Sequence, residues 1–201
     1  MASISTYFDP LPIWYVPLEE AAVDRAAFPL HAVTQRPMPM YHSWGSQNAW
    51  LRQIYNQNRL YVHRRTAQAL GLCDDDWVHV VSAHHRVKCQ IRLVDGVNPD
   101  TVWTWNAVAK RAGAWILAPD AAEATRAFLL NPAISDLLPP GEQPRHSNAD
   151  PVTGQAAWYD LLIRLEPAQP DAADSTDLSP LGLPVGLAPR PKRLPRDEGH
   201  R

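Results

Sequence analysis

A mostly β (α+β) domain, closed into a small barrel and trailed by a polar tail, is the fold that three features of this sequence predict. Short runs rich in β-branched and aromatic residues recur between turn signals, at 28–33, 60–63, 77–82, 87–93, 101–105 and 157–165. Helical periodicity is confined to short stretches between them. From Pro167 onward the composition shifts to proline, aspartate, serine and glycine, with almost no aromatic side chains. Short strands with so little helix favour a closed barrel, which leaves no unpaired edge, over an open sheet.

The chain of 201 residues is long enough for one sizeable domain and a tail. The lead-in, 1–27, reads as irregular: Pro10, Pro12 and Pro17 exclude helix, and only Leu18–Ala27 has helical character. Its Tyr7, Ile13, Trp14 and Tyr15 suit a neighbouring surface. Phe28–Val33 is the first strand. Gln47 or Asn48 caps a short helix, Ala49–Tyr55, with Trp50, Leu51 and Ile54 on one face. Leu60–His63 is a strand. Thr66–Leu72 is a short helix with Ala67 and Leu70 inward and Gly71 as its stop.

Asp74, Asp75 and Asp76 form a turn, and their carboxylates read as turn chemistry rather than an acid/base pair. In the strand Trp77–Ser82, Val78 and Val80 oppose His79 and Val81. Ala83–Arg86 is a hairpin turn. In the return strand, Val87, Cys89, Ile91 and Leu93 share one face and Lys88, Gln90 and Arg92 the other, the alternation of a half-buried strand. Thr101–Trp105 is the next strand. Ala121–Leu130 reads as a helix, interrupted at Asn131-Pro132, with Ala133–Leu138 as a further turn. Ala157–Leu165 closes the domain. The boundaries expected are therefore 1–27 lead-in, 28–166 barrel and 167–201 disordered Pro-rich tail. The basic end of that tail, from Arg190, reads as solvated.

Composition excludes several classes. A net charge of -2 gives no broad attraction to nucleic acid or to an anionic membrane surface. No apolar run approaches the roughly 20 residues that span a bilayer, so no direct membrane insertion is expected. The N-terminus lacks the basic and apolar regions of a signal peptide. Cys73 and Cys89 have no CxxC partner and no histidine at zinc-finger spacing, so no iron–sulfur cluster or zinc site is expected. Two isolated cysteines fit a reducing compartment, and a cytoplasmic location is expected. His84 and His85 point apart in extended chain and lack a carboxylate trio; they read as solvent-exposed turn residues, not metal ligands.

Three polar segments remain. The densest follows the first strand, TQRPMPMYHSWGSQNAW at 34–50, with one guanidinium among hydroxyls, amides and an imidazole. Arginine presents a planar fork of donors that suits phosphate. The second is NAVAKRAGAW at 106–115, and the third SNADPVTGQ at 147–155. Residue type leaves two readings open for each: a solvated loop, or part of a site for something polar and flat. Likewise the eight tryptophans either fill the core or line a site or interface.

Five stretches in this order resemble one known family: HAVTQRPMPMYHSWGSQNAWLRQI at 31–54, the run from Ala67 through LGL and DDDW to Ser82, WTWNAVAKRAGAW at 103–115, APDAAEATRAFLLN at 118–131 and SNADPVTGQAAWYDLLIRLE at 147–166. The chain resembles the C-terminal, molybdopterin-guanine-dinucleotide-binding domain of the dimethyl sulfoxide reductase superfamily. The last three stretches are similar to the catalytic subunits of its membrane-associated sulfite-oxidising branch, close to polysulfide and tetrathionate reductases. The likeness covers about residues 10–166.

The resemblance implies a six-stranded double-psi β-barrel that closes over one side of a bis-molybdopterin guanine dinucleotide. It implies cofactor contacts from Thr34 and Arg36, from His42 and Ser43, and from Gln47 in the first loop. Asn106 and Lys110 match the second loop and Asn148 the third, with Tyr159 in the closing strand. Members of the superfamily are several times longer. They carry an iron–sulfur motif and the molybdenum-ligating residue in earlier domains, neither of which this sequence holds. The expected role is thus cofactor binding as the C-terminal portion of a molybdenum oxidoreductase, in complex with a larger chain that holds the other domains if the enzyme is split. A non-catalytic module or degenerate fragment is the other reading. The chain departs from the family pattern at the middle of Asp74-Asp75-Asp76, at His84-His85 and at Ala109, where glycine is usual. Glycine takes positive φ at little cost, and other residues do so less well.

Overall fold

A computed structural model describes residues 14, 16–42, 44–45, 48–55, 57–106, 108, 128–135, 153, 155 and 160–170. Its strands are β1 (Leu30–Gln35), β2 (Leu60–His63), β3 (Trp77–Ser82), β4 (Arg86–Val94), β5 (Thr101–Trp105) and β6 (Leu161–Pro167). Its helices are α1 (Leu18–Ala22), α2 (Ala49–Ile54) and α3 (Arg64–Ala69). The strands form a closed ring in the order β1-β5-β2-β4-β3-β6. Two neighbouring pairs, β1–β5 and β2–β4, are parallel, and the other four are antiparallel. This matches the six-stranded double-psi expectation in strand number, closure and mixed sheet.

Alternation along each strand sends one row of side chains inward. Leu30 and Ala32, Leu60 and Val62, Val78 and Val80, Val87, Cys89 and Ile91, Val102, and Leu161, Ile163 and Leu165 meet in one apolar core. Val81 and Leu162, on the opposite rows, are buried as well. Phe128, Leu130 and Ala133 join the core from a segment outside the ring, which the Ser82 hydroxyl anchors through the Ala133 carbonyl (2.6 Å). Burial pushes the Cys89 thiol far up.

Several local expectations shift. The first strand starts at Leu30 because Pro29 has no N–H for the ladder, and the Phe28 N–H is held in a turn by the Asp24 carbonyl (3.0 Å). Asn48 caps α2, its side chain accepting from the N–H groups of Trp50 and Leu51. That helix turns Leu51 and Tyr55, four residues apart, toward Met40, Trp105 and Val108. Trp50 and Ile54, expected with Leu51 on one face, are 77% and 62% exposed.

Helix α3 starts earlier than expected because His63 Nδ1 accepts the Arg65 N–H. It ends as expected, at Gly71 with φ 68°. The Leu72 N–H reaches the Ala67 carbonyl and the Gly71 N–H that of Gln68, the paired closure that a left-handed glycine permits. This fold-back carries Leu72 inward in place of Leu70, which is exposed. Residues 121–127 of the expected helix lie outside the described ones. Phe128 to Leu130 are not helical, and a 3-10 turn, Asn131–Ala133, starts before the expected Ala133 and takes Pro132 in its first turn. The start of the expected 157–165 strand also lies outside. Strand β6 continues past Leu165 to Pro167, and Ala168 N–H still bonds the Trp77 carbonyl.

The two histidines are a correction. His85 is buried, and His84 Nε2 meets the buried Glu19 carboxylate at 3.0 Å. The cause is the turn itself, in which the Ser82 hydroxyl oxygen accepts both the His84 and His85 N–H groups and folds the turn onto the barrel. Glu19 also accepts the Leu162 N–H, and its own N–H donates to Asp160 (2.9 Å). Helix α1 is thereby tied to the start of β6 in both directions. Among the described residues no helix is long and apolar enough to cross a membrane.

Burial raises the Asp160 carboxyl above its ordinary range, and the charges of Glu19 and Glu20 raise it further against the pull of the Glu19 N–H. A folded-state pKa above the unfolded one means that the folded chain holds the extra proton. Stability from this group is therefore lost as pH rises through that raised value. Asp160→Asn keeps an oxygen acceptor and removes the charge. Urea unfolding of this variant should show a gain of up to about 1 kcal/mol near neutral pH and little change below the carboxylate range. An equal change at both, or a loss near neutral pH, would contradict this.

Candidate functional site

Strand direction brings the polar segments together. Strands β1 and β5 run parallel and finish side by side, Gln35 opposite Trp105. Strand β6 runs against β1 and starts opposite Ala32, so it enters from that same end. The segments after β1, after β5 and before β6 therefore share one mouth of the barrel. Strand β2 runs against β5, with Leu60 opposite Thr104, so residues 57–59 enter there too.

Thr34 points inward near this mouth. Its Oγ1 is buried and has no hydrogen-bond partner among the described residues, a state that costs about 1–3 kcal/mol if left unfilled. Its register partner Thr104 is fully engaged, with its hydroxyl 3.0 Å from both Asn58 Oδ1 and the Arg59 carbonyl. Arg36 follows at the strand's end, exposed ahead of Pro37.

The first loop then folds through three successive turns, Met40 onto Pro37, Trp44 onto Tyr41 and Asn48 onto Gly45. Met40 is buried, and a Cβ at Gly45 would stand 3.0 Å from the Met40 side chain, so a larger residue there would press Met40 aside by a few tenths of an ångström. His42 sits in the left-handed region at φ 49°, a conformation concentrated at binding sites. Its Nδ1 lies 3.1 Å from the Asn106 side-chain nitrogen, and the Asn106 N–H donates to the Gln35 carbonyl at 2.7 Å. The first and second loops are thus joined at their bases.

Of the nine residues expected from the sequence, Thr34, Arg36, His42 and Asn106 lie at this mouth. Ser43, Gln47, Lys110, Asn148 and Tyr159 lie outside the described residues. Sequence reasoning passed over Asn58 and Arg59, which sit between a short helix and a strand with no motif to mark them. The half-buried Arg59 guanidinium pairs with Asp75 and donates to Gln57. Burial, then the neighbouring Arg92 charge, lowers its pKa from the ordinary value. Among the described residues no group of three potential metal ligands occurs.

Residues 30–128 match the family described as the molydopterin dinucleotide binding domain. Across 98% of its length the chain is 50% identical to a sulfite dehydrogenase subunit of Allochromatium vinosum. This chain belongs to that domain family. The domain spans 19% of the Allochromatium protein. A stretch of 92 residues, 43% of the chain, is 30% identical to dopamine dehydroxylase of Eggerthella lenta and covers 9% of it. Among solved structures, acetylene hydratase from Pelobacter acetylenicus shares the fold, with a TM-score of 0.60 and 22% identity over 82% of this chain and 22% of that one. The matched stretch begins on the first residue of β1 and ends on Phe128 in the core.

The turn that departs from the family pattern shows how the domain adapts. Asp75 adopts φ 70°, the left-handed geometry that glycine would take freely. Its side chain is used in return, by Arg59. Asp75→Gly relaxes the turn but leaves a half-buried guanidinium short of its carboxylate. The second effect is larger, so chemical denaturation should show a net loss of about 1 kcal/mol. A gain in stability would mean that turn strain outweighs the ion pair.

Proposed function

We propose that this domain is the cofactor-binding C-terminal portion of a molybdenum-dependent oxidoreductase that acts on a sulfur compound. The observation that carries the reading is the polar mouth. It has a buried Thr34 hydroxyl with no partner among the described residues, the exposed Arg36 guanidinium, and a His42–Asn106 pair that joins two of its loops. A dinucleotide offers such groups phosphate oxygens, hydroxyls and ring amides. Thr34, His42 and Asn106 would hold the pterin side and Arg36 a phosphate. Ser43, Gln47, Lys110, Asn148 and Tyr159 complete the proposed set from the same three segments. The group proposed is bis-molybdopterin guanine dinucleotide. When bound, its molybdenum supplies the redox chemistry, with the metal's protein ligand on a part of the enzyme beyond this chain.

The barrel spans 28–166 in this reading, between the 1–27 lead-in and the Pro-rich tail. The domain works with the larger part of the enzyme that carries the iron–sulfur and molybdenum-ligating domains. Exposed apolar side chains support such a partner. Met38, Tyr41, Trp44, Trp50 and Ile54 are 62% to 98% exposed, all in the stretch that borders the mouth. Sulfur chemistry rests on the likeness to a sulfite dehydrogenase. Cys73 and Cys89 are free thiols, which supports a reducing, cytoplasmic setting.

The test is a native pull-down of this chain from its host, with molybdenum measured by elemental mass spectrometry. Molybdenum should be recovered together with a larger iron–sulfur polypeptide. Arg36→Ala should lower the molybdenum recovered per chain by about ten-fold, the effect of losing one charge-assisted contact to phosphate. A chain recovered alone and free of molybdenum would favour a non-catalytic or degenerate module and overturn the reading.

A further inference from the structure

The segment between β5 and the core residue Phe128 carries Asn106 and Lys110, and its two ends meet at one side chain. Asn58 is 3% exposed. Its Nδ2 donates to the Trp105 carbonyl, where the segment leaves the barrel, and to the Phe128 carbonyl, where it returns, both at 3.0 Å. A primary amide has two N–H donors, and both are used. Its Oδ1 accepts the Thr104 hydroxyl at 3.0 Å. The single Thr104 proton is shared with the Arg59 carbonyl, also 3.0 Å away, while both amide donors are engaged inside the barrel end, where an unmade bond is expensive.

We propose that Asn58 is a positioning residue for cofactor binding. It pins both ends of the segment 106–127 to the mouth of the barrel, and so sets where Asn106 stands relative to His42 and Thr34. Three features support a role beyond packing. First, both amide donors go to main-chain carbonyls at the two ends of one segment, that of Trp105 where it leaves the barrel and that of Phe128 where it returns. Second, the adjoining residue on the exit side is Asn106 itself, whose side chain reaches His42 in the first loop. Third, the strand ladder does not need Asn58: it precedes β2, and the ring closes through strands whose pairing does not involve it. Closing a long segment costs chain entropy that local contacts within it need not offset. A buried amide that joins the ends lowers that cost for every productive loop arrangement. The inference rests on the cofactor reading given above.

Asn58→Asp tests it with almost no change in shape. The carboxylate replaces the one nitrogen and its two N–H donors with an oxygen that faces two carbonyl oxygens. Asn58→Ala removes the pin altogether. Val80→Ala, which opens a cavity in the core on β3, controls for a general loss of stability. Peptide-resolved hydrogen exchange on the full chain should show faster exchange at the two pinned ends, Trp105–Asn106 and Phe128–Leu130, in both Asn58 variants, by about ten-fold, with β3 and β6 still protected. Val80→Ala should weaken protection of the strands instead. Molybdenum per chain after native recovery should fall in the Asn58 variants and persist in Val80→Ala at matched stability.

Unchanged exchange at those two ends in Asn58→Ala would overturn the proposal, whatever the metal content. So would Asn58 variants that retain molybdenum as well as Val80→Ala does. Wild-type chain without molybdenum would instead sink the cofactor reading, and the exchange measurement would still decide whether Asn58 holds the segment.

Discussion

The parallel pairing of β1 with β5 is the constraint on which the rest depends. Two parallel strands that finish side by side must release their following loops at the same end. The pairing of β6 against β1 then brings a third segment to that end. Residues far apart in sequence become neighbours without any long-range motif to join them. The contact between His42 and Asn106, 64 positions apart, is the visible result. The closed ring keeps this geometry, since each strand is held on both sides and no edge is left to slip.

The mouth so formed differs in kind from the core beneath it. Below, valine, leucine and isoleucine fill the ring. At the rim, Thr104 and Asn58 satisfy each other and the adjoining backbone, while the Thr34 hydroxyl stays buried and unanswered. Buried polar atoms without partners are uncommon in folded proteins, and they concentrate where a ligand completes the bonding. The apolar side chains beside the mouth, Trp44 and Met38 among them, are similarly incomplete as a protein surface. Both features suit a domain that spans about a fifth of its Allochromatium relative.

Much of this was legible in the sequence, and the limits have physical causes. Alternation in 87–93 identified the inward row of β4 correctly, since a half-buried strand writes its burial into its residue types. Gly71 marked the end of α3 for the same kind of reason, because few other residues take its φ. The faces of α2 and the fate of Leu70 were not legible. Short helices carry too few residues for periodicity to decide, and the fold-back after Gly71 reassigns the inward position to Leu72. His84 looked like an ordinary turn residue because its partner, Glu19, lies 65 positions away. Asn58 was missed on similar grounds. Its importance comes from two main-chain carbonyls, and carbonyls leave no trace in residue type. The glycine missing at position 75 was noted, but its compensation by Arg59 requires the three-dimensional contact.

The central claim is that the barrel mouth holds the dinucleotide through the group left unsatisfied there. It is tested most directly by an experimental structure of the complete enzyme with its cofactor bound, measuring the separation between Thr34 Oγ1 and the nearest polar cofactor atom. The account predicts a hydrogen bond of about 3 Å, with His42 and Asn106 lining the same moiety. A cofactor seated away from this mouth, with Thr34 Oγ1 still enclosed by protein alone, would contradict it.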